Sequence, residues 1–134
     1  MIHYLLDTNI CIEMIRGRPA PLAHLRRHKV GSVAISSITL AELQYGAAKS
    51  RDPERNRISL VAFVAPLDVL PFDDLAATAY GTLRAELQQA GRPIGPLDML
   101  IAAHALSTKL ILVTNNEREF ARVAGLHVEN WVTD

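Results

Sequence analysis

Short, unbroken apolar runs are the feature of this sequence that most restricts its fold. Residues 2–6, 33–35, 69–70 and 110–113 form such runs, and a further short strand is expected around residues 127–129. Strands that are apolar at every position are typical of parallel sheets, because helices cover both faces of such a sheet. The runs therefore predict an α/β fold with a mostly parallel central sheet that is flanked by helices on both faces.

The segments between the runs have the spacing and the boundary residues of helices. Leu40, Leu43 and Ala47 recur at helical intervals, and Gly17 and Gly91 each end a periodic segment. The sequence contains no linker, repeat or charge block, so we expect one domain over residues 1–134. The predicted helices cover residues 10–16, 22–28, 39–49, 54–64, 97–107 and 117–123, with a longer one from residue 73 or 74 to residue 90.

The composition excludes several classes of protein. Hydrophobic residues make up 49% of the chain and charged residues 21%, which excludes a disordered or low-complexity chain. No apolar stretch approaches the ~18 residues that cross a bilayer, and the first residues lack the features of a signal peptide. The single cysteine excludes an intrachain disulfide and a cysteine-rich zinc module. We therefore expect a cytoplasmic protein without membrane association.

Three acidic residues lie at or near predicted helix N-termini: Asp7, Glu42 and Asp98. Taken singly, each has a structural interpretation, with Asp7 as a helix cap, Glu42 as the capping-box partner of Thr39, and Asp98 in the first turn of an apolar helix. Ligands of parallel sheets bind beyond the carboxyl ends of the strands, and carboxylates gathered there repel one another unless a cation binds them. Oxygen ligands of this kind select Mg²⁺ or Mn²⁺, so the spacing predicts metal-assisted phosphodiester hydrolysis.

Four segments follow one another along the chain, namely residues 6–9 (LDTN), 36–43 (SSITLAEL), 95–103 (GPLDMLIAA) and 113–120 (VTNNEREF). Together they resemble the motifs of PIN-domain ribonucleases and, more narrowly, those of the VapC toxins of bacterial VapBC toxin–antitoxin modules. The resemblance covers essentially the whole chain, in order and at matching length. It implies that Asp7, Glu42 and Asp98 are the catalytic and metal-binding acids and that Mg²⁺ or Mn²⁺ is the cofactor.

The fourth segment departs from the pattern that it resembles. Many PIN domains have an aspartate where this chain has Asn116. By the same resemblance, Glu119 is the candidate that supplies the missing charge, and Thr114 and Asn116 are candidates to hold a water molecule or a phosphate. The Asn115-Asn116 variant is similar to that of VapC proteins that cut the anticodon loop of initiator tRNA.

The resemblance implies an endoribonuclease toxin that cleaves a tRNA, with the initiator tRNA as substrate, and that blocks translation when free of its antitoxin. A VapB-type antitoxin and a second copy of the chain are the implied protein partners. The attacking group is expected to be water, which leaves a 5′-phosphate and a 3′-hydroxyl. Two alternatives remain, a PIN-fold protein that binds RNA without cutting it and an α/β signalling module, and neither predicts that replacing the acids abolishes Mg²⁺-dependent cleavage.

Basic residues are concentrated in the first half of the chain. Residues 1–60 contain nine Lys or Arg and five acids, whereas residues 61–134 contain five and nine. The net charge of zero argues against strong non-specific binding to nucleic acid. Cys11 and His104 are interpreted as structural residues. The candidates for contact with RNA phosphates are Arg16, Arg26, Arg27, Lys29, Lys49, Arg51 and Arg92.

Overall fold

The computed structural model describes residues 1–132, in which helices cover a central sheet. None of the helices formed by these residues is both long and apolar enough to cross a bilayer. The strands are β1 (Tyr4–Leu6), β2 (Val33–Ser36), β3 (Asp68–Leu70), β4 (Ile111–Val113) and β5 (Val128–Glu129). The helices are α1 (Thr8–Ile15), α2 (Pro19–Arg26), α3 (Ser37–Ala48), α4 (Pro53–Val64), α5 (Asp74–Gln89), α6 (Pro96–Thr108) and α7 (Glu117–Phe120).

The sheet has the strand order β3-β2-β1-β4-β5, and every strand pair within residues 1–132 is parallel. The central strand β1 pairs with β2 on one side, where Tyr4 is opposite Val33, and with β4 on the other, where Tyr4 is opposite Ile111. The chain thus adds β2 and β3 on one side of β1, and β4 and β5 on the other. The carboxyl end of β1 is therefore the topological switch point, where parallel sheets bind their ligands.

Alternate residues of the strands face two separate hydrophobic cores. Leu5 and Leu112 are buried in one core with Ile101 of α6, whereas Leu6 and Val113 are buried in the other. Successive side chains of a strand point to opposite faces of a sheet. A sheet with a core on each side therefore needs strands that are apolar at every position, and the prediction of helices on both faces is confirmed.

Helix α7 is shorter than the sequence pattern predicts. The pattern predicts a helix over residues 117–123, but α7 ends at Phe120, and the N–H of Val123 then donates to the carbonyl of Phe120 in a turn (3.1 Å). Gly125 follows with a φ of 80°, a left-handed conformation that glycine adopts at little cost. The chain turns here because it must enter β5 within a few residues of α7.

Candidate active site

The carboxyl edge of the sheet gathers polar residues from three neighbouring strands. Asp7 follows β1, Ser36 ends β2, and Thr114 follows β4. Thr8 contacts both Asp7 and Glu42, and Gly95 lies beside both Asp98 and Glu119. Burial is the main cause that raises the pKa of Asp7 and that of Asp98, and the charges of Glu42 and Glu119 raise both further. The structure thus brings the three predicted acids and Glu119 into one cluster, which we call the acidic cluster (Asp7, Glu42, Asp98 and Glu119).

Asp7 is the buried member of the acidic cluster, with 2% of its surface exposed. Its Oδ1 accepts a hydrogen bond from the N–H of Thr8 at 2.7 Å, so Asp7 also caps α1. Its Oδ2 accepts one from the hydroxyl of Thr114 at 2.8 Å. Burial raises the pKa of Asp7 above its ordinary value, and these two hydrogen bonds act against that rise by stabilising the charged form. The cap and the functional role proposed for Asp7 are therefore compatible.

A Thr114→Val variant is expected to be less stable by about 1.5–3 kcal/mol at pH 8, the usual worth of a hydrogen bond to a charged group. Valine keeps the shape of the buried Thr114 side chain but cannot donate to Asp7. The hydrogen bond favours the charged carboxylate, so its loss matters most above the pKa of Asp7 and diminishes as acid protonates Asp7. Urea unfolding at pH 8 and pH 4 measures this, with Thr114→Ser as control, and an equal loss at both pH values would contradict it.

Glu42 turns towards α1 and not towards the start of its own helix. Its Oε1 accepts a hydrogen bond from the hydroxyl of Thr8 at 2.9 Å, and that hydroxyl also lies 3.1 Å from the hydroxyl of Thr39. Helix α3 is instead capped by Ser36, whose hydroxyl accepts from the N–H of Ile38 at 3.0 Å. The capping-box interpretation of Glu42 is therefore wrong, because Ser36 occupies the cap three residues before Thr39.

The pKa values of the neighbouring acids Asp98 and Glu119 are shifted in opposite directions. Burial, followed by the charge of Glu119, raises the pKa of Asp98 to about 7. Burial also acts to raise the pKa of Glu119, but the hydrogen bond from the backbone of Gly95 and the one with Asp98 act against it. The hydrogen bond from Asn116 and the charge of Arg122 lower that pKa further, so it lies below its ordinary value. Glu119 therefore carries the negative charge at neutral pH, and Asp98 is poised to bind or release a proton.

Gly95 brings the backbone into contact with both of these acids. Its N–H donates to Oε1 of Glu119 at 2.7 Å. A Cβ atom at Gly95 would lie 3.3 Å from Oδ2 of Asp98 and 3.7 Å from Oε1 of Glu119, which is a tight fit for any side chain. The sequence interpretation missed this role of Gly95, although a glycine beside Pro96 at a helix start is a signal for a close backbone approach.

The acidic cluster has no basic partner among residues 1–132, where the ion pairs within 4.0 Å join Arg18 to Glu13 and Arg57 to Glu54. The same part of the chain contains no set of three or more His, Cys, Asp or Glu side chains already placed as a metal-ligand group. The charge of Arg122 acts on Glu119, but no basic side chain forms an ion pair with Asp7, Glu42 or Asp98 in residues 1–132. The all-oxygen donor set and the crowded negative charge nevertheless fit a hard divalent cation. The carboxylates are thus close enough to repel one another, but ligation would require side-chain adjustment.

The structure separates the basic residues that the sequence suggests for RNA contact. Arg26 ends α2, and Arg27 and Lys29 precede β2 and line a cavity with His3, at the sheet edge opposite the acidic cluster. Lys49 follows α3, where its Nζ lies 4.9 Å from the ring centre of Tyr45. Only Arg92 lies in the loop that contacts the acidic cluster through Gly95. Arg16 follows α1, and Arg51 lies between α3 and α4.

The two residues interpreted as structural are buried. Cys11 has no exposed surface, and burial raises the pKa of its thiol well above the ordinary value. His104 is 1% exposed, and its Nδ1 lies 2.8 Å from the hydroxyl of Ser36, which joins α6 to the start of α3. The structural interpretation of both therefore agrees with where the fold places them.

Comparison with known proteins assigns the fold and its acidic cluster to a protein family. The family model described as PIN domain matches residues 4–126. This chain belongs to the PIN-domain family, and within that family to the VapC toxins. The resemblance that the four sequence segments suggest is thereby confirmed.

Individual relatives align along nearly the whole chain. A protein of Shigella flexneri named tRNA(fMet)-specific endonuclease VapC is 52% identical over 131 residues, which cover 98% of this chain and 99% of that protein. The crystal structure of DNA-bound VapBC from Salmonella typhimurium contains a chain with 46% identity and a TM-score of 0.93, covering 98% of this chain and 99% of that one. VapBC2 of Rickettsia felis, bound to a fragment of its promoter DNA, gives 43% identity and a TM-score of 0.90, covering 98% and 99%.

Proposed function

We propose that the chain is a metal-dependent endoribonuclease toxin that cleaves RNA phosphodiester bonds. The observation that carries the proposal is the acidic cluster, which draws Asp7, Glu42, Asp98 and Glu119 from separate segments to the switch point of the sheet. The names of the relatives, which are endonucleases and ribonucleases, support the same chemistry.

Asp7, Glu42 and Asp98 would hold a Mg²⁺ or Mn²⁺ ion. Such an ion, when bound, lowers the pKa of a water molecule and neutralises charge on a phosphoryl group. The side chains of Thr8 and Thr114 orient two of these carboxylates through hydrogen bonds to Glu42 and Asp7. Burial and the charge of Glu119 raise the pKa of Asp98 to about 7 when no cation is bound, and a bound cation would favour its charged form. In-line attack then leaves a 5′-phosphate and a 3′-hydroxyl.

The proposed substrate is a tRNA, with the initiator tRNA favoured and cleavage in the anticodon loop. The relative from Shigella flexneri is named for its specificity for tRNA(fMet), and the Asn115-Asn116 pair, by its resemblance to other VapC proteins, supports the anticodon loop as the position of the cut. Cutting this tRNA would inhibit the initiation of translation. Among the basic candidates, Arg92 is the proposed phosphate contact, because it belongs to the same loop as Gly95, whose N–H donates to Glu119.

The proposed partners are a VapB-type antitoxin and a second copy of the chain. Solved relatives, which are VapBC complexes from Salmonella typhimurium and Rickettsia felis, support the antitoxin, whereas the second copy rests on the resemblance to VapC toxins alone. A cytoplasmic location is proposed with them, because tRNA and an antitoxin of this kind act there.

The function is tested by sequencing RNA ends after induction of the wild-type chain and of an Asp7→Asn variant. We expect one cut in the anticodon loop of the initiator tRNA that the variant abolishes, and EDTA should abolish the same cut in a purified reaction. Asp68→Asn is the matched control, because Asp68 is exposed at the start of β3 and lies outside the acidic cluster. Binding of the tRNA without a cut would favour the non-cleaving alternative, and a 2′,3′-cyclic phosphate product would contradict attack by water.

A further inference from the structure

Both carboxylate oxygens of Glu119 accept hydrogen bonds, as those of Asp7 do. Its Oε1 accepts a hydrogen bond from the N–H of Gly95 at 2.7 Å, and its Oε2 accepts one from the side-chain amide of Asn116. Asn116 is itself held, because its backbone N–H donates to the hydroxyl of Thr114 at 3.0 Å. A chain of hydrogen bonds thus runs from Asp7 through Thr114 and Asn116 to Glu119.

Each link in this chain depends on the chemical type of its residue. The amide nitrogen of Asn116 is a donor, whereas a carboxylate at the same position has only acceptors to offer to Glu119. Gly95 has no side chain, and a Cβ there would lie 3.3 Å from Oδ2 of Asp98, which is closer than most such contacts, and 3.7 Å from Oε1 of Glu119. The site therefore needs a donor at position 116 and a bare backbone at position 95.

We propose that Asn116 and the N–H of Gly95 are positioning groups that fix Glu119 as a charged carboxylate beside Asp98, so that this geometry calls for an amide and not a further acid at position 116. The inference rests on the proposed metal-dependent nuclease and deepens it. An aspartate at position 116 replaces the amide that donates to Glu119 with a second carboxylate. The repulsion between this carboxylate and that of Glu119 displaces Glu119. Adding an acid therefore weakens the cluster as a cation site.

The test uses Asn116→Asp, Glu119→Gln and the double variant that carries both changes. The double variant restores one donor and one acceptor, because the new amide nitrogen at position 119 donates to the new carboxylate at position 116. The new amide oxygen still accepts from the N–H of Gly95. Asn130→Asp is the matched control, since Asn130 donates to Glu117 at 3.4 Å on the exposed surface outside the cluster.

Two measurements are made on each full-length variant, the melting temperature without metal and its rise on titration with Mn²⁺ or Mg²⁺ alone. We expect Asn116→Asp to melt at a lower temperature and to bind Mn²⁺ about 10- to 100-fold more weakly, the usual effect of losing an outer-shell partner. The double variant should recover most of both losses, and Asn130→Asp should lose neither. The rate of RNA cleavage should follow the Mn²⁺ affinity.

The outcomes separate this inference from the proposed function. An Asn116→Asp variant as stable as the wild type and equal to it in Mn²⁺ affinity would overturn the inference. A double variant whose melting temperature and Mn²⁺ affinity do not exceed those of Asn116→Asp would also overturn it. A wild-type chain that does not respond to Mn²⁺ or Mg²⁺ would overturn the proposed metal dependence. In that event the melting temperatures without metal still decide whether Asn116 and Glu119 act as a pair.

Discussion

An Asp98→Asn variant is expected to cleave RNA about 10²- to 10⁴-fold more slowly, because it loses a carboxylate that would hold the metal ion, while its metal-free form melts at a higher temperature than the wild type. Both effects come from the charge of the Asp98 carboxylate. Asp98 is half-buried, and its burial, followed by the charge of Glu119, raises its pKa to about 7 from an ordinary 3.8. Ionisation of Asp98 therefore destabilises the fold, and asparagine removes that charge while it keeps the size of the side chain.

The pH dependence of this gain has a definite sign. An acid whose pKa is higher in the folded chain than in the unfolded one costs stability as the pH rises through the interval between the two values. For Asp98 that interval runs from 3.8 to about 7, so the gain of the variant should be absent near pH 3.8 and complete above pH 7. Melting curves across this range measure it, and the exposed Glu86→Gln on α5 is the control. A gain that does not change with pH would contradict the explanation.

A Trp131→Ala variant is expected to lose about 3–5 kcal/mol, a large part of the 5–15 kcal/mol that stabilises a typical domain. Trp131 is 1% exposed although it lies near the C-terminus. Its indole ring stacks on those of His24 and His28, with centres 5.6 and 5.0 Å apart, and meets the ring of Tyr4 edge-on at 5.2 Å. Alanine leaves a cavity between α2 and the sheet that the surrounding rings fill only in part.

Denaturant unfolding measures this loss, and a Tyr45→Ala variant is the control. Tyr45 is 65% exposed on α3, so its truncation should change the free energy of unfolding by less than about 0.5 kcal/mol. The free energy of unfolding of a Trp131→Phe variant should lie between those of Trp131→Ala and Tyr45→Ala, because phenylalanine keeps an aromatic ring but loses the hydrogen bond from Nε1 to Glu129. Equal stability of Trp131→Ala and the wild type would show that the C-terminal segment does not contribute to the core.

The fold was predictable because its decisive signals are local. Runs such as residues 110–113 are apolar at every position, and only a sheet covered on both faces uses such strands. The end of α7 was not predictable from its own residues, because the turn at Gly125 is set by the need to reach β5. Local pattern also misled at Glu42, whose true partner Thr8 lies on another helix.

The sequence predicted which acids belong to the acidic cluster better than it predicted the hydrogen bonds that hold them. The carboxyl ends of parallel strands meet at one edge, so Asp7 and Glu42, which follow β1 and β2, could be expected to lie near each other. The contact of Glu119 with Asn116 spans three residues, but its contact with Gly95 joins α7 to a loop 24 residues earlier, which no local spacing encodes. Charge density along the chain was the weakest guide, because Arg27 and Lys29 lie at the far edge of the sheet.

The four acids of the cluster come from segments that are widely separated in the chain, and this has a consequence during synthesis. A growing polypeptide leaves the ribosome with its N-terminus first. When α1 to α5 have emerged, only Asp7 and Glu42 are available, since Asp98 belongs to α6 and Glu119 to α7. Under the proposed function, a nascent chain at that stage lacks two of the four acids, so cleavage of RNA is expected only after its last segments have been translated.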